Sequence, residues 1–311
     1  MPTVRPFPVL LVSMLCVACA KSPEPPPPVV SEAPAASVDV YEFKVGELSA
    51  VALKAGGFNL PNDANTIGVG RAPEEIASLL SGAGVSTTEL SLSIQPLLVK
   101  ADDKVLLFDT GLANNDKLAT SMQEAGIEPA SITDVFISHA HGDHIGGLLD
   151  ASNALMFANA TIHMSEAEAA FIKGMDETAA AGLGAGRHAA LISVAIPKVQ
   201  TFAPDSEIIP GLVKAVDIKG HTPGHSGYLI TSGSESLLYI GDTAHHHVVS
   251  VQQPEWTIRF DGDAPTAQAS RKSLIEQNAA AGQRIYAVHF PFPGIGKFTK
   301  TGERAVWTPE E

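Results

Sequence analysis

From about Val38 onward the chain alternates short apolar runs with clusters of Gly, Asn, Asp and Pro. The runs VYEFKV, SAVALK, IQPLLVK, KVLLFD, TDVFIS, ATIHM, GLVKAVDI, GYLITS, SLLYIGD and RIYAVHF have the length and composition of strands. Helix candidates lie between them at Asn115 to Ala125, Ser165 to Lys173, Arg187 to Ala195 and Pro265 to Ala281, the last rich in Ala, Gln, Lys and Glu. Strands mixed with separated helices predict an α/β fold of two sheets packed together, with helices outside. The stretch Phe58 to Glu89 breaks this rhythm. Gly, Asn and Pro are scattered through it, with one short helix candidate at Pro73 to Leu80, and it reads as a lid over a site built by the strands that follow.

The amino terminus follows a different pattern. Arg5 precedes the apolar run Val9 to Ala18, too short to span a bilayer, and Ala18-Cys19-Ala20 follows. This is an export signal over residues 1–20. Two processing routes compete: cleavage after Ala20, or cleavage before Cys19 with a lipid on its sulfur, as in a bacterial lipoprotein signal. Residues 21–37, KSPEPPPPVVSEAPAAS, favour extended polyproline geometry and form a tether. The expected organisation is therefore signal, tether and one folded body over 38–311, in the periplasm or anchored to an outer membrane through Cys19. Both cysteines, Cys16 and Cys19, lie in the signal. Any metal in the body must be held by nitrogen and oxygen.

Charge narrows the partners. A formal net charge of −14, with no Lys/Arg-rich run, would repel phosphate backbones and excludes nucleic acid. An aromatic content of 6% argues against stacking platforms for bases or long sugar chains. A small neutral substrate fits better, and the sequence leaves room for an oligomer.

The strongest chemical signal is His139-Ala140-His141-Gly142-Asp143-His144, directly after the strand Asp134 to Ser138. Three imidazoles and a carboxylate within six residues are costly to place at a strand end unless a cation compensates them. Three further candidates arrive at the ends of elements. His225 closes Gly220-His221-Thr222-Pro223-Gly224-His225, Asp242 follows the run Leu237 to Ile240, and His289 ends the run Ile285 to Val288.

This ordered set, preceded by Asp109-Thr110-Gly111, resembles the five-motif signature of the metallo-β-lactamase superfamily. The resemblance implies an αβ/βα sandwich of two mixed sheets and a centre of two divalent ions, most simply Zn2+. It assigns His139, His141 and His225 to the first ion, and Asp143, His144 and His289 to the second. Asp242 would bridge the two, and Asp109 would orient the loop without binding metal. Two such ions lower the pKa of a shared water toward about 7, and Asp143 could carry a proton to the leaving group. Local runs around Asp242, Phe260 and His289 are similar to methyl parathion hydrolase and related lactonases. Cleavage of a lactone or aryl ester, with phosphotriesters as further substrates, is the implied reaction. A metal-dependent binding lipoprotein without turnover, or a β-lactamase or phosphodiesterase activity on the same fold, are the alternatives.

Other residues have blander readings. His163 reads as a satisfied structural histidine and His188 as exposed. His221 is left out of the ligand set as a residue that hydrogen-bonds within its own turn. In the run His245-His246-His247 only His245 is a candidate for the pocket wall. Phe171, Ile172, Trp256, Phe260 and Phe292 are core candidates, some of which must line a site for a neutral substrate.

Overall fold

A computed structural model describes residues 1–3, 39–113 and 116–310. The expected signal, tether and lipidated Cys19 fall outside these residues, apart from 1–3. Two seven-stranded sheets form the body. The first runs, in spatial order, Val40–Val45, Leu48–Leu53, Leu97–Ala101, Lys104–Phe108, Asp134–Phe136, Thr161–Ser165 and Val199–Phe202. The second runs Glu207–Ile209, Val213–Asp217, Ser226–Ser232, Glu235–Tyr239, Arg284–Tyr286, Ile295–Thr301 and Arg304–Pro309.

Successive residues of a strand point to opposite faces, and here both faces are buried. From the first sheet Leu97, Val99, Leu106, Phe108 and Phe136 pack against Val213, Ala215, Tyr228, Leu237, Tyr239 and Tyr286 of the second. The residues between them, Leu98, Leu107, Val135 and Ile137, turn outward to Leu118, Met122, Ala169 and Ile172 on helices. On the far side Leu238, Ile240 and Ile285 meet Leu274 and Ile275 of the helix Ala264–Ala281. Burial on both faces explains why these strands read as near-continuous apolar runs. The expected sandwich of two mixed sheets with outer helices is the observed one.

Three expectations change. Residues 58–89 are not an irregular lid. Gly56–Pro61 pairs antiparallel with Glu89–Ile94 and Ile67–Val69 pairs with Thr257–Ile258, while the helix expected at Pro73 to Leu80 is present as Pro73–Gly82. Ile67, Ile76, Leu80, Leu90 and Leu92 form a core of their own with Val248, Trp256 and Ile258. The partner strand lies almost two hundred residues away in the chain, so no local pattern could announce it. Secondly, His188 is buried and not exposed, and its Nε2 lies 2.9 Å from the carbonyl of Ile172. Thirdly, the stretch expected as a helix from Arg187 to Ala195 is a short helical turn, His188–Ala190, continued by a wider turn over Leu191–Ala195.

Topology puts four strand ends together. Lys104–Phe108 runs parallel to Asp134–Phe136, and Glu235–Tyr239 runs parallel to Arg284–Tyr286. The segments leaving these strands carry Asp109, His139, Asp242 and His289.

Candidate metal centre

Two groups of ligand-type side chains meet where the strands end. His139, His141, His221 and Asp242 form one, and Asp143, His144 and His289 the other, with the ligand-type atoms of each within 4.8 Å of one another. All are buried except Asp143, whose side chain is 20% exposed. Asp242 stands between the groups. Its Oδ2 lies 3.4 Å from His221 Nε2 and 3.7 Å from His139 Nε2, while its Oδ1 lies 3.1 Å from His144 Nε2 and 3.0 Å from His289 Nε2.

The outer hydrogen bonds decide which ring nitrogens are free. His144 donates Nδ1–H to Asp109 Oδ2 at 2.7 Å, and His289 donates Nδ1–H to the carbonyl of Ser93 at 2.7 Å. Ser138 Oγ donates to Asp109 Oδ2, so it accepts from His139 Nδ1 at 3.0 Å. His221 donates Nδ1–H to Asp261 Oδ1 at 3.0 Å. Each ring therefore keeps its fixed proton on Nδ1 and turns Nε2 toward Asp242. The Nε2 atoms of His139 and His144 and the Oδ1 of Asp242 are buried without a hydrogen-bond partner. Converging lone pairs with no donor between them are a costly arrangement, and they fit divalent cations, which accept nitrogen and oxygen together.

Deeper carboxylates hold this constellation. Asp109 sits at a positive φ of 59° just after its strand, and its two oxygens accept from Ser138 N–H, Ser138 Oγ, His144 Nδ1 and Tyr239 OH, each at 2.7 Å. Tyr239 belongs to the other sheet, so one carboxylate pins both sheets to the motif. Glu168 does the same for the loops. Its Oε1 accepts from Ala140 N–H at 2.7 Å, and its Oε2 accepts from Thr222 Oγ1 at 2.8 Å and Gly224 N–H at 2.9 Å. Burial raises the Glu168 carboxyl above its usual range despite these donors.

Electrostatics divides the histidines. Burial, reinforced by neighbouring histidines, holds His139 well below the ordinary imidazole range and His141 down to about 2. Burial also opposes charge on His144 and His221, but there the carboxylates win. Asp242, Asp143 and Asp109 raise His144 well above its usual value, and Asp242 with Asp261 pushes His221 up to about 9. His221 Nε2 lies 2.9 Å from His141 Nδ1, so the two rings face each other within the first group.

His225 is the one expected ligand that the structure does not bring into either group; His221 stands in its place. His225 Nδ1–H donates to the carbonyl of Ile218 at 3.0 Å, and its Nε2 accepts the backbone N–H of Asp242 at 2.9 Å. Both nitrogens are spent on backbone. The fit is close enough that a Cβ on Gly241 would lie 2.5 Å from His225 Nε2. His163 matches its structural reading, with Nε2 2.8 Å from Asp134 Oδ1 and its ring stacked on Phe136. His245 is a wall residue. Its ring stacks 5.6 Å from His289, and its Nε2 lies 3.2 Å from Asp242 Oδ2. Trp256 and Ile172 are core as expected, whereas Phe260 lines the cleft and Phe171 a smaller cavity beside it. Glu168, Asp261 and Arg271 were not singled out from sequence. Only Ser165-x-x-Glu168, an N-cap followed by an acid three residues on, could have pointed to one of them.

The groups form the floor of a cleft of about 580 Å3. Its walls include Phe58, Ile94, Leu112, Leu183 and Phe260, with Arg259 as the cation on its lining.

Comparison with known proteins agrees with this geometry. The model of the Metallo-beta-lactamase superfamily matches residues 93–281, more than half of the chain, and the chain belongs to that superfamily. It is 25% identical over 194 residues to a probable metallo-hydrolase of Mycobacterium bovis, and equally to one of Mycobacterium tuberculosis. The match covers 50% of this chain and 58% of each relative, so the chain spans under two thirds of the curated relatives it matches. Among solved structures it is similar to AidC, a dizinc quorum-quenching lactonase determined with a product. That likeness has a TM-score of 0.77 and 30% identity, and covers 88% of this chain and 98% of AidC. It is also similar to AbOPH, a hydrolase in the β-lactamase superfamily, with a TM-score of 0.74, 26% identity, and coverage of 88% and 98%.

Proposed function

We propose that this chain hydrolyses a neutral ester-like bond, a lactone or an aryl ester first and a phosphotriester second, at a centre of two divalent ions, with zinc as the natural occupant. The observation that carries the proposal is the position of Asp242, one oxygen toward His139 and His221 and the other toward His144 and His289. His139, His141, His221 and Asp242 would hold one ion, and Asp143, His144, His289 and Asp242 the other. Ions bound there supply Lewis acidity and a nucleophile at neutral pH.

The chain's own residues supply orientation and selectivity. Phe58, Leu112, Leu183 and Phe260 give the cleft apolar walls for an acyl or aryl group. Arg259 is an exposed cation in a molecule of net charge −14, a poor field for a dianionic monoester. Asp143 lines the cleft with a partly exposed carboxylate, which supports a role in handing a proton to the leaving oxygen. The likeness to AidC, a lactonase, supports lactones as the first class. The run Val9 to Ala18 and Cys19 support an exported enzyme with a lipid anchor.

A hydrolysis screen of the zinc-loaded protein tests this. Lactones, aryl esters, phosphotriesters, phosphodiesters, phosphomonoesters and β-lactams are compared by kcat/KM. At least one neutral lactone or aryl ester is expected to exceed every phosphomonoester. Anionic phosphate esters as the best substrates would overturn the substrate class, and a protein that never carries more than one equivalent of metal would overturn the two-ion centre.

A further inference from the structure

Arg271 and Asp261 have wholly buried side chains, and the apolar core does not explain either charge. Arg271 projects from the helix Ala264–Ala281 and spends its guanidinium on four partners. Its Nη2 donates to Asp261 Oδ2 at 2.5 Å, its Nε to the carbonyl of Thr243 at 2.8 Å, and its Nη1 to the carbonyls of Pro254 and Trp256 at 3.3 Å. Thr243 is the residue after Asp242. The other oxygen of Asp261 accepts Nδ1–H of His221. One buried cation therefore restrains both the turn that carries Asp242 and the carboxylate that orients His221.

We infer that Asp261 and Arg271 are positioning residues for the first ion of the proposed two-ion centre, acting through His221. The inference rests on that reading of the site. The physical reason is tautomer and direction. An imidazole without a partner on Nδ1 can place its single proton on either nitrogen, and a proton on Nε2 would point a donor where a cation must sit. Asp261 fixes the proton on Nδ1 and turns the Nε2 lone pair toward Asp242 and His141. Arg271 fixes the rotamer of Asp261 by occupying its second oxygen. Its planar fork satisfies one carboxylate and three carbonyls at once, which a lysine could not do. The second ion depends on Asp109 and the Ser93 carbonyl instead, so the two sites are separable by mutation.

The test is metal binding by the full chain, measured as stepwise affinity for zinc by competition with a chromophoric chelator and as the visible spectrum of the cobalt-substituted protein. Asp261→Ala is expected to weaken one of the two ions about 10- to 100-fold and to change the part of the cobalt spectrum that belongs to it. The other ion is retained. Asp261→Asn, which keeps the volume but puts an amide against two donors, is expected to give a smaller loss in the same ion, and Arg271→Lys a loss in the same site. Asp134→Asn, which breaks a buried histidine pair outside the cluster, controls for general loosening and should leave both ions in place. Wild-type protein binding fewer than two ions would sink the two-ion centre itself. Wild-type protein binding two, with Asp261→Ala and Asp261→Asn folded and unchanged in both affinities and spectrum, would overturn the positioning role alone, as would equal weakening of both ions.

Discussion

His225 Nε2 accepts the backbone N–H of Asp242 at 2.9 Å, beneath the carboxylate that stands between the two ligand groups. The two histidines of Gly220-His221-Thr222-Pro223-Gly224-His225 thus have different tasks: His221 faces Asp242 and His141, and His225 supports the turn from below. His221→Ala is expected to lower bound metal from about two equivalents to about one. His225→Ala leaves the Asp242 N–H and the Ile218 carbonyl unpaired and buried, each worth about 1–3 kcal/mol, so its main effect is a lower Tm. Elemental analysis alongside thermal denaturation separates them. Metal loss in His225→Ala with none in His221→Ala would return His225 to the ligand set.

This exchange shows where sequence reading stops. Both histidines sit in one Gly/Pro turn, and nothing local says which ring faces inward. The choice is made by Asp261, forty residues later, and by Ile218, whose carbonyl takes the His225 proton. The sandwich strands were legible because they are buried on both faces, as with Leu106, Leu107 and Phe108. The run from Ile94 to Lys100 read as one strand, yet it divides at Gln95, whose side chain donates to the carbonyls of Ala287 and Phe290 at 3.0 Å each. Its first residue joins the ribbon with Gly56–Pro61 and the rest joins the first sheet. Ile295–Thr301 and Arg304–Pro309, carrying Lys297, Thr299, Lys300 and Arg304, were too polar to read as strands, since their outward positions face water. Most residues of the two ligand groups were visible as a motif, whereas of those that hold them Glu168 is marked only by its place after the N-cap Ser165, and Asp261 and Arg271 stand as single charged residues.

The pair formed by His163 and Asp134 predicts a pH effect away from the metals. Burial works against the Asp134 carboxylate, but hydrogen bonds from His163 and Thr133 and the charge of Lys104 outweigh it and hold its pKa below 3.8. A carboxyl whose folded pKa is depressed binds a proton more readily unfolded, so its stabilisation is present above about 3.8 and is lost as pH falls through the folded value. Asp134→Asn should therefore be less stable than the parent at pH 6 and approach it below pH 3. His163→Ala should lower Tm while leaving metal content and turnover close to those of the parent. Denaturant unfolding of the Asn variant and its parent across this range checks the sign, and a difference that widened on acidification would contradict it.

Gly142, inside the His139–His144 motif, touches another backbone directly. Its N–H donates to the Leu183 carbonyl at 3.0 Å, and a Cβ on it would lie 1.9 Å from Gly184 O and 2.3 Å from Gly184 C. The segment Gly182–Gly184 is thereby pressed onto the motif, which puts Leu183 between the main cleft and an adjoining cavity of about 370 Å3 bounded by His141, Phe171, His221 and Phe260. Gly142→Ala cannot be relieved by a side-chain rotation, because the clash is with backbone. The segment must move, and glycines on both sides of Leu183, with Gly184 at φ 70°, allow it to do so. The motif on either side of Gly142 is held independently, at the Ala140 N–H by Glu168 and at His144 by Asp109, so the ligands should stay in place. Leu183 would then withdraw from a bound acyl or aryl group. Burial of such a side chain is worth at most about 1.5–3 kcal/mol, so KM for long-chain neutral substrates should rise about tenfold or more. Short-chain substrates, which do not reach Leu183, should be affected less, and metal content should remain at about two equivalents. KM and kcat over a chain-length series, with elemental analysis of the same preparations, decide the point. A fall in metal content and kcat with KM unchanged would mean that the Gly142 contact holds the ligands and not the substrate wall.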